Sequence, residues 1–178
     1  MIDLKQFKNN AIAKGLCDNY TNLWDDNKSK KQLFELACDV NSIKYMAKSL
    51  SEGWGLSPVF ISDKFKAYIN GKYICEYKNE KRGCYTSAML CNYYKESFYV
   101  DTTLLCILES KTTLDIKPNH ICEIYVAGNT YLDIKVGENS KVYLFVYGGE
   151  PMITGDIDKD KVIIKRYIDE KEVTNVWL

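Results

Sequence analysis

The sequence predicts an α+β protein in which residues 1–70 form about four to five short helices and residues 71–178 form a β-rich part, packed together as one unit. Up to residue 70, apolar residues recur three to four positions apart, which is the period of an amphipathic helix. After it, apolar and polar residues alternate, and turn-forming residues recur at about ten-residue intervals. The composition of the 178-residue chain, 46% hydrophobic and 27% charged, is typical of a folded protein.

The helical part contains five amphipathic segments, most of them preceded by a residue that can cap them. The segments cover residues 2–16, the surroundings of Trp24, and residues 29–40, 41–53 and 57–70. Ser29 and Gln32 have the spacing of a capping box, which satisfies two backbone N–H groups at the start of a helix. Ser57 can cap the last segment, and Pro58 then occupies the first helical position, where its missing N–H costs no hydrogen bond.

Three successive segments of the β-rich part place their apolar side chains on one face. These residues are Cys122, Ile124, Val126, Leu132, Ile134, Val136, Val142, Leu144 and Val146. We expect them to form the core of a mainly antiparallel sheet, a sandwich or a meander, because parallel strands need a crossover of a dozen or more residues. A β-solenoid with two strands per coil is the alternative, although no exact sequence repeat supports it.

The opposite face of the same strands is rich in tyrosine, of which the chain contains 14. Tyr125, Tyr131, Tyr143 and Tyr147 are predicted there, since neighbouring side chains of a strand point to opposite sides. Tyrosine offers a large rigid contact area with a hydrogen-bonding tip, as in many protein interfaces. These four residues are therefore the candidate partner-binding site, unless the helical part covers them.

The resulting hypothesis is a non-enzymatic interaction or assembly module that binds a protein partner, or another copy of itself, through this aromatic face. An excess of lysine over arginine, with abundant Asn, Ile and Tyr, is compatible with an A+T-rich gene, as in many small phage or mobile-element accessory proteins. Neither a cofactor nor a metal is expected.

Nucleic-acid binding is the alternative function. The helices of residues 29–70 have lengths compatible with a helix-turn-helix arrangement, which would present Lys64, Lys66 and Tyr68 to DNA. The chain has 24 basic and 24 acidic residues and no net charge, so it lacks the basic field that attracts a phosphate backbone. The lack of such a field favours the protein-binding hypothesis.

Catalytic and metal-binding patterns are weak. His120 and Cys122 would share a strand face. The Cα atoms of residues two apart in a strand are about 7 Å from each other, whereas a thiol nucleophile needs its base within hydrogen-bond reach. Cys84, Cys91, His120 and Cys122 lack the spacing of a structural zinc site. Residues 156–160 resemble the start of a calcium loop, yet Lys161 stands where glycine is required. We expect a solvated hairpin turn there. A non-enzymatic role is favoured, and a hydrolase or transferase that uses Cys122 or scattered carboxylates is the third alternative.

The beginning of the chain does not have the pattern of a signal peptide, because lysine and asparagine interrupt its apolar residues. The longest apolar runs, near residues 104–108 and 142–147, are far shorter than the roughly 20 residues that a membrane-spanning helix needs. The seven cysteines are an odd number scattered through apolar segments, which favours reduced, buried thiols. A cytoplasmic location is therefore predicted.

Overall fold

The computed structural model describes residues 2–16, 18–25, 27–79, 83–148, 151–168 and 171–173, where five helices precede eleven strands. The helices are α1 (Leu4–Ala13), α2 (Asp18–Leu23), α3 (Lys30–Cys38), α4 (Ile43–Ser51) and α5 (Pro58–Lys64). The strands are β1 (Cys75–Asn79), β2 (Gly83–Cys91), β3 (Ser97–Val100), β4 (Leu104–Leu108), β5 (Lys111–Ile116), β6 (Ile121–Ala127), β7 (Tyr131–Val136), β8 (Lys141–Tyr147), β9 (Met152–Gly155), β10 (Val162–Ile168) and β11 (Lys171–Val173). The predicted order of helices before strands is confirmed.

The strands form two facing sheets that coil as a parallel β-solenoid of about four turns. The first sheet has the order β1-β2-β4-β6-β8-β10-β11, and the second has the order β3-β5-β7-β9. Neighbouring strands are parallel throughout the second sheet and from β2 to β10 in the first, whereas β1 and β11 are antiparallel to their neighbours. The predicted antiparallel sheet, sandwich or meander is therefore wrong.

The long connection that a parallel pair requires is supplied here by a strand of the opposite sheet. Ile121 of β6 pairs with Lys141 of β8, twenty positions further on. Residues 128–140, which join these two strands, contain β7 and the two corners on either side of it. Side chains still alternate between inward and outward directions along every strand, so an antiparallel sheet and a solenoid impose the same pattern on the sequence.

An apolar interior lies between the two sheets, and the predicted core residues line it. Ile124 and Leu144 point inward from the first sheet, while Leu132 and Ile134 point inward from the second, and all four are fully buried. The predicted core is thus confirmed, although the strand of residues 131–136 belongs to a different sheet from the strands before and after it.

One corner of the solenoid repeats the same backbone turn in four successive coils. Asn92, Glu109, Gly128 and Gly148 follow β2, β4, β6 and β8, and each has a positive φ between 44° and 75°. A Cβ atom at Gly148 would lie 2.8 Å from the Cβ of Ser51. The absence of a side chain at Gly148 therefore allows the end of α4 to approach the solenoid closely.

The helices pack on the outer face of the first sheet. Helix α4 lies across β4 and β6 and also contacts β8. Its buried residues Ile43, Met46 and Ala47 belong to a second apolar cluster, which includes Cys106 and Tyr125 of the sheet. The helices and the first sheet therefore share this apolar cluster.

Asn70 joins the end of the helical part to the first sheet. Its side-chain Oδ1 accepts a hydrogen bond from the Cys91 backbone N–H at 2.8 Å, and its Nδ2 donates to the Cys91 carbonyl at 3.1 Å. Its own backbone N–H donates to the carbonyl of Met89 at 2.8 Å.

Within the described part of the chain, the helices are too short or too polar for any of them to span a membrane.

Candidate functional site

The four tyrosines predicted to bind a partner do not lie on one surface. Tyr125 is 6% exposed in the apolar cluster beneath the helices, and its hydroxyl donates a hydrogen bond to the Glu123 carboxylate. Tyr131 belongs to β7 of the second sheet and points away from the interior, on the other side of the solenoid. Tyr143 and Tyr147 are half-buried on β8 of the first sheet. The helices therefore cover part of the predicted face.

The remainder of this face is a half-buried strip on β8 and β10, of which Phe145 and Tyr147 pack against the apolar cluster beneath the helices. We call it the aromatic strip, and it consists of Tyr143, Phe145, Tyr147, Ile163, Lys165 and Tyr167, all half-buried. Parallel pairing places Tyr143 beside Ile163 and Tyr147 beside Tyr167. The rings of Tyr147 and Tyr167 stack with centroids 5.0 Å apart and planes 13° apart. Rigid neighbouring strands thus hold the rings in a fixed ladder.

The electrostatic setting of the aromatic strip combines neutral phenols with lysines. Partial burial raises the pKa of Tyr147, and the nearby hydroxyls of Tyr167 and Tyr45 raise it further. Tyr147 is therefore neutral at physiological pH and able to donate a hydrogen bond. The Lys141 amine lies 5.8 Å from the centre of the Tyr143 ring, and the Lys44 amine lies 5.2 Å from that of Tyr45.

The structure does not bring His120 and Cys122 together as a nucleophile and its base. The His120 ring Nε2 lies 2.9 Å from the backbone carbonyl oxygen of Thr102. Cys122 is 1% exposed and points into the solenoid interior. Burial raises the pKa of its thiol to about 12, so it remains protonated at neutral pH. Both residues have structural roles.

The cysteines considered for zinc occupy separate environments. Cys84 is exposed on β2, Cys91 is buried against the helical part, and Cys122 lies inside the solenoid. Among the residues that the structure describes, no three His, Cys, Asp or Glu side chains are grouped as metal ligands would be. Cys38 and Cys75 are buried in the cluster between helices and sheet, where a hydrogen bond from the Cys38 thiol lowers the pKa of Cys75.

The segment that resembles a calcium loop is a corner between β9 and β10. The Asp156 carboxylate accepts a hydrogen bond from the Val136 backbone N–H at 3.0 Å. The Asp158 carboxylate accepts one from the backbone N–H of Asp160 at 3.1 Å. These carboxylates stabilise the corner, which leads from β9 to β10. It is not the hairpin turn that the sequence predicted, because β9 pairs with β7 and β10 pairs with β8.

The burial of the thiols predicts which cysteine reacts in the folded protein. In a Cys17→Ser chain, which removes the one cysteine outside the described residues, we expect iodoacetamide to modify Cys84 rapidly at neutral pH. Cys91 and Cys122 should react only after unfolding, because burial both blocks access and raises each pKa to about 12. Peptide mass spectrometry over time checks this order, and rapid labelling of Cys122 would show that the solenoid interior opens readily.

The residues predicted to contact DNA are not presented by one helix. Lys64 ends α5, which has seven residues, and Lys66 follows in an exposed turn. Tyr68 is half-buried, and its ring stacks on Phe34 with centroids 5.6 Å apart. The segment that the sequence predicted as one helix to residue 70 therefore stops six residues earlier, and Tyr68 packs against α3.

A cavity of about 360 Å³ in the helical part is a site that the sequence did not predict. The Phe7 ring forms part of one wall. Its centroid lies 5.2 Å from the centroid of the Trp24 ring and 5.7 Å from that of the Trp54 ring. The Trp54 indole N–H donates a hydrogen bond to Glu52 at 2.6 Å. The two tryptophans are visible in the sequence and could have indicated an apolar site. Their convergence, however, depends on how the helices and the Gly53–Gly55 turn pack together.

The chain matches no protein-family model, no curated protein and no solved structure. The features of the structure that bear on its function are the aromatic strip, the cavity and their surroundings.

Proposed function

We propose that the protein is a non-enzymatic interaction module that binds another protein through the aromatic strip. The supporting observation is the half-buried Tyr147–Tyr167 stack, which continues the aromatic face from β8 onto β10. Aromatic side chains supply much of the energy of protein interfaces, because they bury a large area at a small cost in conformational entropy. Parallel strands preorganise these rings, which reduces that cost further.

The charge around the aromatic strip indicates the chemistry of the partner. Lys141 and Lys44 contribute positive charges beside Tyr143 and Tyr45. The nearby Glu123 carboxylate is engaged by the Tyr125 hydroxyl. A protein surface that places carboxylates next to apolar side chains would complement this arrangement, since opposite potentials across an interface favour association.

The positions of the other reactive groups support a binding role over catalysis. His120 is tied to the Thr102 carbonyl, and Cys122 is enclosed between the sheets. General acid-base or nucleophilic catalysis would require such groups to converge near a reacting atom. The aromatic strip instead offers contact area and neutral hydroxyl groups.

Site-specific crosslinking tests the proposal. A benzophenone amino acid is placed at Tyr143 of the aromatic strip, and in a matched control at Tyr131 on the second sheet. Irradiation in the cells that encode the chain is expected to give a discrete adduct from Tyr143 only, identified by mass spectrometry as another copy or as a different protein. Equal adducts from both positions, or none from Tyr143, would contradict the proposal.

A substitution in the aromatic strip gives the expected size of the effect once the adduct is identified. We expect Tyr167→Ser to weaken binding of that protein about thirtyfold, since a central aromatic residue of an interface contributes about 2 kcal/mol. Tyr99→Ser is the control, because Tyr99 is 57% exposed on β3 of the second sheet. Titration by calorimetry or by sedimentation measures both affinities, and equal affinities would exclude Tyr167 from the interface.

A further inference from the structure

The cavity of the helical part has walls suited to an apolar molecule. Phe7, Phe34 and Met46 are buried residues that line it, together with Trp24 and Trp54. Its volume of about 360 Å³ falls within the roughly 300–1,000 Å³ range of small-molecule sites. It lies on the helical side of the shared core, and Lys44 and Tyr45, which line it, also belong to the surroundings of the aromatic strip.

A cavity of this kind costs stability when it is empty. Side chains that line an apolar void lose packing contacts, and the cost rises with its volume because the surrounding structure relaxes only partially. Here the aromatic contacts of Phe7 with Trp24 and Trp54 brace two sides of the cavity. A ligand that occupies the space would recover the lost contacts.

The mouth of the cavity carries an excess of positive charge. Lys14, Lys44, Lys48 and Glu52 are the charged residues that line the cavity, and Lys14 and Lys44 are exposed at its mouth. The Lys48 amine lies 3.5 Å from Glu52, whose other carboxylate oxygen accepts the hydrogen bond from Trp54. Glu52 is therefore engaged twice within the wall, while the exposed Lys14 and Lys44 remain as two further positive charges.

Neutral polar groups complete the mouth. Tyr20, Asn41 and Ser42 line it beside the lysines. The Tyr20 hydroxyl donates to the Asp39 carboxylate, which sets one negative charge against the two exposed lysines, and the Asn41 amide donates to the Tyr20 hydroxyl at 3.1 Å. Hydroxyl, amide and ammonium groups at the entrance of an apolar space can solvate a charged head group that remains near water.

From the apolar walls and the lysine-rich mouth, we propose that this cavity binds a small amphiphile with an apolar body and an anionic head group. The apolar body lies against Phe7, Trp24 and Trp54, and the head group lies at the mouth near Lys14 and Lys44. A carboxylate on an alkyl chain is the simplest molecule of this class. An amine of the same length would meet an excess of like charge.

Displacement of a neutral dye tests both parts of the proposal. N-phenyl-1-naphthylamine is added to the full chain, and its fluorescence is followed as dodecanoate or dodecylammonium is titrated below its micellar concentration, or dodecanol below its solubility limit. The expected order of affinity is dodecanoate, then dodecanol, then dodecylammonium. No dye binding would overturn the cavity as a ligand site, whereas equal affinity for dodecanoate and dodecylammonium would overturn the anionic specificity.

Substitutions at the mouth locate the anionic head. We expect Lys14→Gln together with Lys44→Gln to weaken dodecanoate binding about five- to tenfold at low salt and to leave dodecanol binding unchanged, since exposed ion pairs are individually weak. Lys117→Gln together with Lys135→Gln, two exposed lysines of the solenoid, is the matched control and should change neither. An equal loss for dodecanoate and dodecanol would contradict a charge contact at the mouth.

Fluorescence quenching locates the apolar body without altering the cavity. In a Trp177→Phe chain, Trp24 and Trp54 are the remaining tryptophans. Terminally brominated dodecanoate is expected to quench more than half of their emission at saturation, and unbrominated dodecanoate should not. Ala37→Trp, which fills the cavity from α3, should abolish dye binding if the chain keeps its wild-type circular dichroism. Binding without quenching would place the ligand elsewhere and overturn the proposal.

Discussion

Replacing Leu144 by alanine is expected to lower the free energy of unfolding by about 2–5 kcal/mol. The Leu144 side chain has no exposed surface, and pairing places it between Ile124 of β6 and Ile164 of β10. Its removal would leave a cavity between two sheets whose spacing is set by the coils on either side, so little collapse can compensate. Urea denaturation followed by circular dichroism measures the change.

Lys135→Ala provides the control for this experiment. Lys135 is exposed on the outer face of β7, and a substitution there should change the free energy of unfolding by less than about 0.5 kcal/mol. A loss at Leu144 no larger than the loss at Lys135 would mean that the interior between the sheets is not tightly packed.

Replacing Asn70 by alanine is expected to cost about 2–4 kcal/mol, because two effects add. The change removes the side chain that bonds both backbone groups of Cys91 and leaves a buried N–H without that partner. It also places an alanine at a φ of 61°, a left-handed conformation that asparagine tolerates better. Thermal and urea unfolding of the variant and the wild type measure the loss.

Asn70→Gly separates the two effects. Glycine adopts a positive φ without strain, so the glycine variant should retain the loss from the missing hydrogen bonds and avoid the loss from the backbone. We expect it to be about 1 kcal/mol more stable than the alanine variant. Wild-type stability in both variants would show that Asn70 does not hold the helical part to the sheet.

The same contacts explain why part of the aromatic face is covered. Asn70 bonds the end of the helical part to the first sheet, and Gly148 lies against Ser51 at the end of α4. Helix α4 lies over β4 and β6 and also contacts β8, and so Tyr125 is buried while Tyr143 and Tyr167 are only half-buried. The aromatic strip begins on β8, which α4 contacts, and continues onto β10.

Local sequence signals were sufficient for most elements. Ser29 forms the predicted capping box with Gln32, and Ser57 caps α5 with Pro58 at its first turn. These features depend on residues three positions apart, and backbone geometry determines them locally. The last helix was predicted too long because Phe65 and Ile69 continue the apolar period, although the chain has already left the helix at Lys64.

The candidate sites depended on contacts between distant residues. Tyr125 and Tyr131 are six positions apart and were predicted on one face, yet they belong to different sheets. The cavity requires α1, α3 and α4 to meet Trp54. No local pattern contains these distances.

By itself, the sequence determined where helices change to strands, which side chains alternate inward, and that Ile124, Leu132 and Leu144 would be buried. Only the tertiary structure decided whether successive strands turn back beside each other or cross to a second sheet. The reason is that alternation specifies the two sides of a strand but not its neighbour. That neighbour is chosen by the corners, the facing apolar layers and the helices that cover the first sheet.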